Sequence, residues 1–193
     1  MRVPRFLLAS AACLSLAACF GGKAPATLLT LTPQAAPVDN LSRSASAGQT
    51  VTIEVPVVPQ ELNQVRVPAL EGPTAVTYIK DLQWVDRPNR MFQQLLSETV
   101  KRTTTRVVLD PKQASLDPGL RVTGTLQRFG YDTQAGQVIV TYDAALSTDG
   151  GTRVETRRFT AAVPAVGTAE SVGPALNQAA NQVALDVARW IAG

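Results

Sequence analysis

Histidine is absent from this 193-residue chain, and cysteine occurs only twice, at Cys13 and Cys19 near the amino terminus. Without an imidazole there is no Ser-His-Asp or Cys-His relay and no histidine metal ligand. The body of the chain also has no thiol for a disulfide, a zinc site or a nucleophile. General acid-base work would fall to carboxylates, lysines or tyrosines. A spanning hydrophobic run is missing too: the apolar stretch Phe6 to Leu16 is about half of the roughly 20 residues that cross a bilayer. Charge is sparse and scattered. Phosphate binding needs clustered Lys and Arg, so a nucleic-acid binder is excluded. The densest basic stretch, Arg153, Arg157 and Arg158, reads as a solvated strand face.

What is present begins at the amino terminus. Arg2 and Arg5 precede the short apolar run, which ends in Leu16-Ala17-Ala18-Cys19. A charged segment, a short apolar core and small residues before the cut are the parts of a secretory signal. A cysteine directly after them resembles the bacterial lipobox, so residues 1–18 are expected to be a signal peptide and Cys19 the lipidated residue. Cys13 lacks the branched apolar residue that Leu16 supplies to Cys19. In enterobacterial lipoproteins an aspartate after the cysteine favours inner-membrane retention; Phe20 points instead to the periplasmic face of the outer membrane. Arg2 and Arg5 leave with the signal, so the net charge of +3 falls to +1. The tether through Ala26 reaches about 25 Å at full extension and would keep the following domain near its membrane.

Residues 27–193 read as one α+β domain. Thr27 to Thr32 is a brief strand candidate, and Pro33 to Gly48 reads as surface loop. Thr50 to Pro59 sets Val51, Ile53, Val55 and Val57 on one face by alternation, with Pro56 on the other. Gln60 to Pro73 reads as loop with a helical turn near Glu61, and Ala75 to Ile79 as a short strand. Asp86 is placed as N-cap of a helix whose buried stripe is Met91, Phe92, Leu95, Leu96, Thr99 and Val100. After a strand over Arg106 to Asp110, Gly119 to Tyr131, Val138 to Ser147 and Arg153 to Val163 form an antiparallel meander. A bulge is expected near Gln127, and Asp149-Gly150 marks a tight hairpin. A closing helix is expected to start near Ser171 to Gly173, so that Pro174 falls in its first turn. It carries Val172, Leu176, Ala179, Ala180, Val183, Val187 and Ile191 on one stripe, with Asn177, Asn181 and Asp186 off it. The expected architecture is a mostly antiparallel sheet with two amphipathic helices packed on one face.

The order of these pieces resembles the ABC-type transport auxiliary lipoproteins, which include the PqiC-like lipoproteins. The matching pieces are Thr30 to Pro33 soon after the lipidated cysteine, the proline-bearing Val55 to Pro59, Trp84 before the first helix, the Leu120 to Phe129 strand and the Ala-rich last helix. The resemblance implies a non-enzymatic partner of an MCE-domain protein and, through it, of an ABC permease and ATPase. It implies no cofactor beyond the covalent lipid on Cys19. Homo-oligomerisation is left open, as is a structural or lipid-binding envelope role outside a transport complex. Val57, Val58 and Trp84 are the candidate partner contacts, although Trp84 reads first as a core aromatic beside a helix start and second as an interface anchor. A competing carboxylate enzyme would draw on Asp81, Asp86, Asp132 or Asp143.

Overall fold

The computed structural model describes residues 28–38, 42–117, 119–148 and 151–193. Cys19, the signal and tether, Thr27 and Asp149-Gly150 lie outside the described residues. The elements run β1 (Thr50–Ile53), β2 (Arg66–Leu70), β3 (Val76–Gln83), α1 (Pro88–Thr103), β4 (Val107–Leu109), β5 (Leu120–Asp132), β6 (Gln137–Thr148), β7 (Arg153–Pro164) and α2 (Ala169–Ala192).

The long strands form as their alternation predicts. β5 pairs antiparallel with β6, and β6 with β7, along nearly their whole lengths. The register shifts between Leu126 and Arg128, which is the bulge expected from the parity break at Phe129. It brings Phe129 back to the core side, where it is 1% exposed. Because β6 occupies one edge of β5 throughout, β1 and β2 lie end to end along the other, both parallel to it. β4 adds to β1 in parallel and β3 to β2 antiparallel. The sheet is therefore mixed: three of its six ladders are parallel. Local alternation carries no information about strand direction, so this part of the topology was beyond the sequence reading. β2 itself falls within the expected loop, where Pro68 and its short length hide it.

α1 buries the expected stripe: Met91, Phe92, Leu95, Leu96, Thr99 and Val100. Full burial of a Leu or Phe contributes roughly 1.5–3 kcal/mol, so packing fixes this helix more than propensity does. The buried Thr99 hydroxyl donates to the Leu95 carbonyl at 2.8 Å, which removes the cost of burying it. The helix ends at Thr103, followed by Thr104 in extended conformation. Its N-cap is Arg87 rather than Asp86; the Asp86 carboxylate accepts from the Arg87 N–H at 2.7 Å.

α2 buries every residue of the expected stripe together with Gly173 and several further alanines. It starts at Ala169, earlier than expected, so Pro174 sits in the second turn and leaves the Glu170 carbonyl without its helical donor. Gly173 is needed for contact: a Cβ there would lie 2.9 Å from Leu29 Cδ1. The rings of Phe92 and Tyr142 meet at 5.2 Å, and those of Phe159 and Trp190 at 5.6 Å. Tyr142 and Phe159 are directly opposite on β6 and β7, so they share a face. Both helices therefore cover the same face of the sheet.

Of the expected first strand, the described residues 28–32 do not form a strand. Leu29 alone bridges to Trp84, through bonds of 2.8 and 2.9 Å. Beyond it, Asn177 and Asn181 of α2 hold the chain as a strap: Thr32 N–H donates to Asn177 Oδ1 at 2.8 Å and Gln34 N–H to Asn181 Oδ1 at 2.7 Å. Asn181 Nδ2 returns a bond to the Thr32 carbonyl at 2.9 Å. Asn181 is 7% exposed, a correction to its expected place off the stripe. Its burial is made tolerable by a side-chain amide that copies the pairing of a neighbouring strand.

Candidate functional site

The face of the sheet away from the helices is open, and one defect shapes it. Ile53 lies opposite Val122, whereas Val57 lies opposite Thr125. Four steps along one chain match three along β5, so the segment Glu54 to Pro56 contains an extra residue, a β-bulge. A one-residue slip turns every later side chain to the other face. Val51 and Ile53 are accordingly in the core, while Val55 and Val57 are 45% and 68% exposed. Pro56, expected to point outward, is buried. The single-face alternation from Val51 to Val57 is thus corrected: it holds to Ile53 and then reverses. The bulge is pinned on both sides, by Glu54 N–H on the Val122 carbonyl and by Val57, which donates to Gly124 and accepts from Leu126, all at 2.9 Å. Pro56 has no donor to lose there, and its carbonyl accepts from Asn89 Nδ2 at 3.2 Å.

From Val57 a row runs straight across the open face: Val57 opposite Thr125, Thr125 opposite Asp143, and Asp143 opposite Arg158. Arg158 grips Asp143 with Nε at 2.6 Å and Nη2 at 2.7 Å, and Gln127 Nε2 adds a bond at 3.2 Å. These hydrogen bonds, Arg158's first, hold the Asp143 carboxyl below its ordinary range, and the same bond raises Arg158. Under the row, Gly124 leaves room for Tyr142; a Cβ at Gly124 would lie 2.2 Å from the Asp143 carbonyl oxygen and 2.7 Å from the Tyr142 ring. The Tyr142 hydroxyl donates to the Thr123 carbonyl at 3.1 Å, and burial raises its pKa.

The three candidate contacts separate. Val57 stands out on the open face, Val58 is partly buried against the core, and Trp84 is 1% exposed with its ring 5.6 Å from Phe129. Trp84 thus follows its core reading; a side chain this buried contributes no area to a surface. The aspartates do not converge either. Asp81 is exposed at a positive φ of 57° in β3, and Asp86 is engaged by Arg87. Asp132 accepts from the turn N–H groups of Gln134 and Ala135 at 3.1 and 3.0 Å, which with Arg128 lowers its pKa. Asp132 lies opposite Gln137, six residues from Asp143 on β6, or roughly 20 Å. A glycosidase pair needs about 5–9.5 Å.

The site is therefore a surface rich in threonine, with a projecting valine at one end and a closed ion pair at the other. Sequence reasoning singled out Val57 but placed it wrongly, and it missed the strap residues. The signal for the strap was a pair of asparagines four apart on an otherwise apolar helix.

A family model described as the ABC-type transport auxiliary lipoprotein component matches residues 29–188. A crystal structure of a Xanthomonas campestris protein of the DUF330 family superposes with a TM-score of 0.70 at 16% identity, covering 86% of this chain and 95% of that one. A second crystal structure, of an uncharacterized protein, gives 0.61 at 14% identity over 78% and 96% of the two chains. At these identities the likeness is one of fold. No curated protein matches.

Proposed function

The chain belongs to the ABC-type transport auxiliary lipoproteins, and on that premise we propose that it is the non-catalytic docking component of an MCE-type intermembrane lipid transport system. Lipidated Cys19 anchors it to the periplasmic face of the outer membrane. An MCE-domain protein is its direct partner and connects it to an ABC permease and ATPase. The observation that carries the docking role is the bulge at Glu54 to Pro56, which turns Val55 and Val57 out of the core onto an open sheet face. A valine left in water forgoes its own burial free energy and leaves apolar area for a partner to cover.

Two measurements test this reading. Tagged protein recovered from solubilised membranes brings an MCE-domain protein with it, and V57E reduces that recovery while the melting temperature stays the same. Recovery with no MCE or ABC component overturns the docking role. Cys19→Ser abolishes incorporation of labelled fatty acid and releases the protein from the outer-membrane fraction; retention there would overturn the anchor.

A further inference from the structure

The basic stretch Arg153, Arg157 and Arg158 is split by strand parity. Arg158 lies on the open face with Asp143, whereas Arg157, two residues before the core Phe159, is on the helix side. There the β6–β7 end of the sheet overhangs the last turn of α2 and leaves a groove of about 620 Å³, within the range of small-molecule sites. Leu120, Leu146, Phe159 and Trp190 give it an apolar floor, and Arg106, Arg157 and Arg189 stand around it.

The side-chain charges do not cancel. Arg189 is paired with Asp186 at 3.1 Å, and Glu155, the other carboxylate side chain of the lining, is taken by Arg153. Arg106 and Arg157 have no carboxylate partner among the described residues. Arg157 lies 5.6 Å over the Trp190 ring, a cation–π placement that positions its guanidinium above apolar surface. The C-terminal turn of α2 favours a cation beside it, which accounts for Arg189 in that turn and not for two further guanidinium groups from the sheet side. Apolar floor, aromatic wall and two uncommitted arginines together fit a ligand with an aliphatic chain and an anionic head.

We infer that this groove is a binding site for an anionic amphiphile, its chain lying along Leu120, Leu146 and Phe159 and its head held by Arg106 and Arg157. The site lies on the helix side of the sheet, opposite the face that carries Val57. Gly173, on which Leu29 packs, and Trp190 are separated along α2 by about 25 Å. The groove therefore lies at the end of α2 away from Leu29. The inference stands on the groove's own chemistry: failure of the MCE pull-down would leave it intact, and its failure would leave docking intact.

The test uses the full-length protein in phosphatidylcholine nanodiscs, titrated with hexyl phosphate, with inorganic phosphate and with hexanol. Trp190 emission is the readout, isolated by subtracting the W190F variant and empty nanodiscs. Hexyl phosphate gives a saturable change, and each half of the molecule alone binds at least about tenfold more weakly. R157Q and R106Q each weaken hexyl phosphate binding about tenfold, the loss expected for one charge-assisted hydrogen bond, while R157K retains part of it. Both arginines are at the surface, and an unchanged melting temperature verifies that the variants fold. Absence of a saturable change, equal binding of hexanol, equal binding of inorganic phosphate, or undiminished binding by the double arginine variant would each overturn the inference.

Discussion

The two edges of β5 were built by different rules. Along one, β6 pairs without interruption save a single bulge, and β7 continues the meander. Along the other, β1, a bulged linker and β2 share the length in short parallel pieces. The continuous edge has nearly every side chain assigned by alternation to core or solvent. The broken edge spends one residue on a bulge, and that residue decides whether Val57 is core or surface. The regularly paired half of the sheet thus follows periodicity, and the half that carries the projecting valines comes from a departure from it.

The sharpest test of the contrast lies at Trp84, which belongs to the broken half yet sits in the core. W84A is expected to lose about 3–5 kcal/mol in urea unfolding. A variant that kept its stability but lost its partner would return Trp84 to the interface. Next, G124V forces a side chain against the Asp143 carbonyl and Tyr142, and a loss of about 1–3 kcal/mol is expected. Equal stability would mean that the continuous edge is looser than its ladder indicates. N181A strips three bonds from the strap and the Asn177 carbonyl, with an expected loss of about 1–2 kcal/mol. Amide exchange should rise around Thr32 and Gln34 and stay unchanged in β6; uniform exchange would mean that the strap is part of the global core.

A smaller effect is expected from acid. Asp132 and Asp143 have folded pKa values below the ordinary 3.8. Their contribution is therefore complete above that value and is lost as pH falls below it through the folded values. Both are near the surface, so the slope is shallow. D143N should flatten it, and an unchanged acid limb would place the sensitivity elsewhere. The smallest effect belongs to V57A, whose stability should stay within about 0.5 kcal/mol of the parent. A larger loss would mean that Val57 packs inward after all.

The legible parts of this molecule are those set by neighbours in sequence. The stripes of α1 and α2, the three long strands and the bulge beside Gln127 each depend on a few adjacent residues. The parallel placement of β1 and β2 was hidden because it depends on which strand edge is already occupied. Asn181 was misplaced because its partners, Thr32 and Gln34, lie nearly 150 positions away. Val57 was misplaced because alternation predicts a face only while register is kept. The start of α2 was shifted because a proline in the second turn costs one hydrogen bond at a helix end, which the long apolar stripe offsets.

The strap has a mechanical meaning. A pull arriving at Leu28 from the amino-terminal side first meets the Leu29 bridge to β3 and its neighbour Trp84, then the asparagine pair on α2. The load divides between the sheet and the longest helix before it reaches the loop that leads to β1. Tension on such a handle would be borne by several hydrogen bonds together, so the domain can be tugged without being unravelled from its first strand.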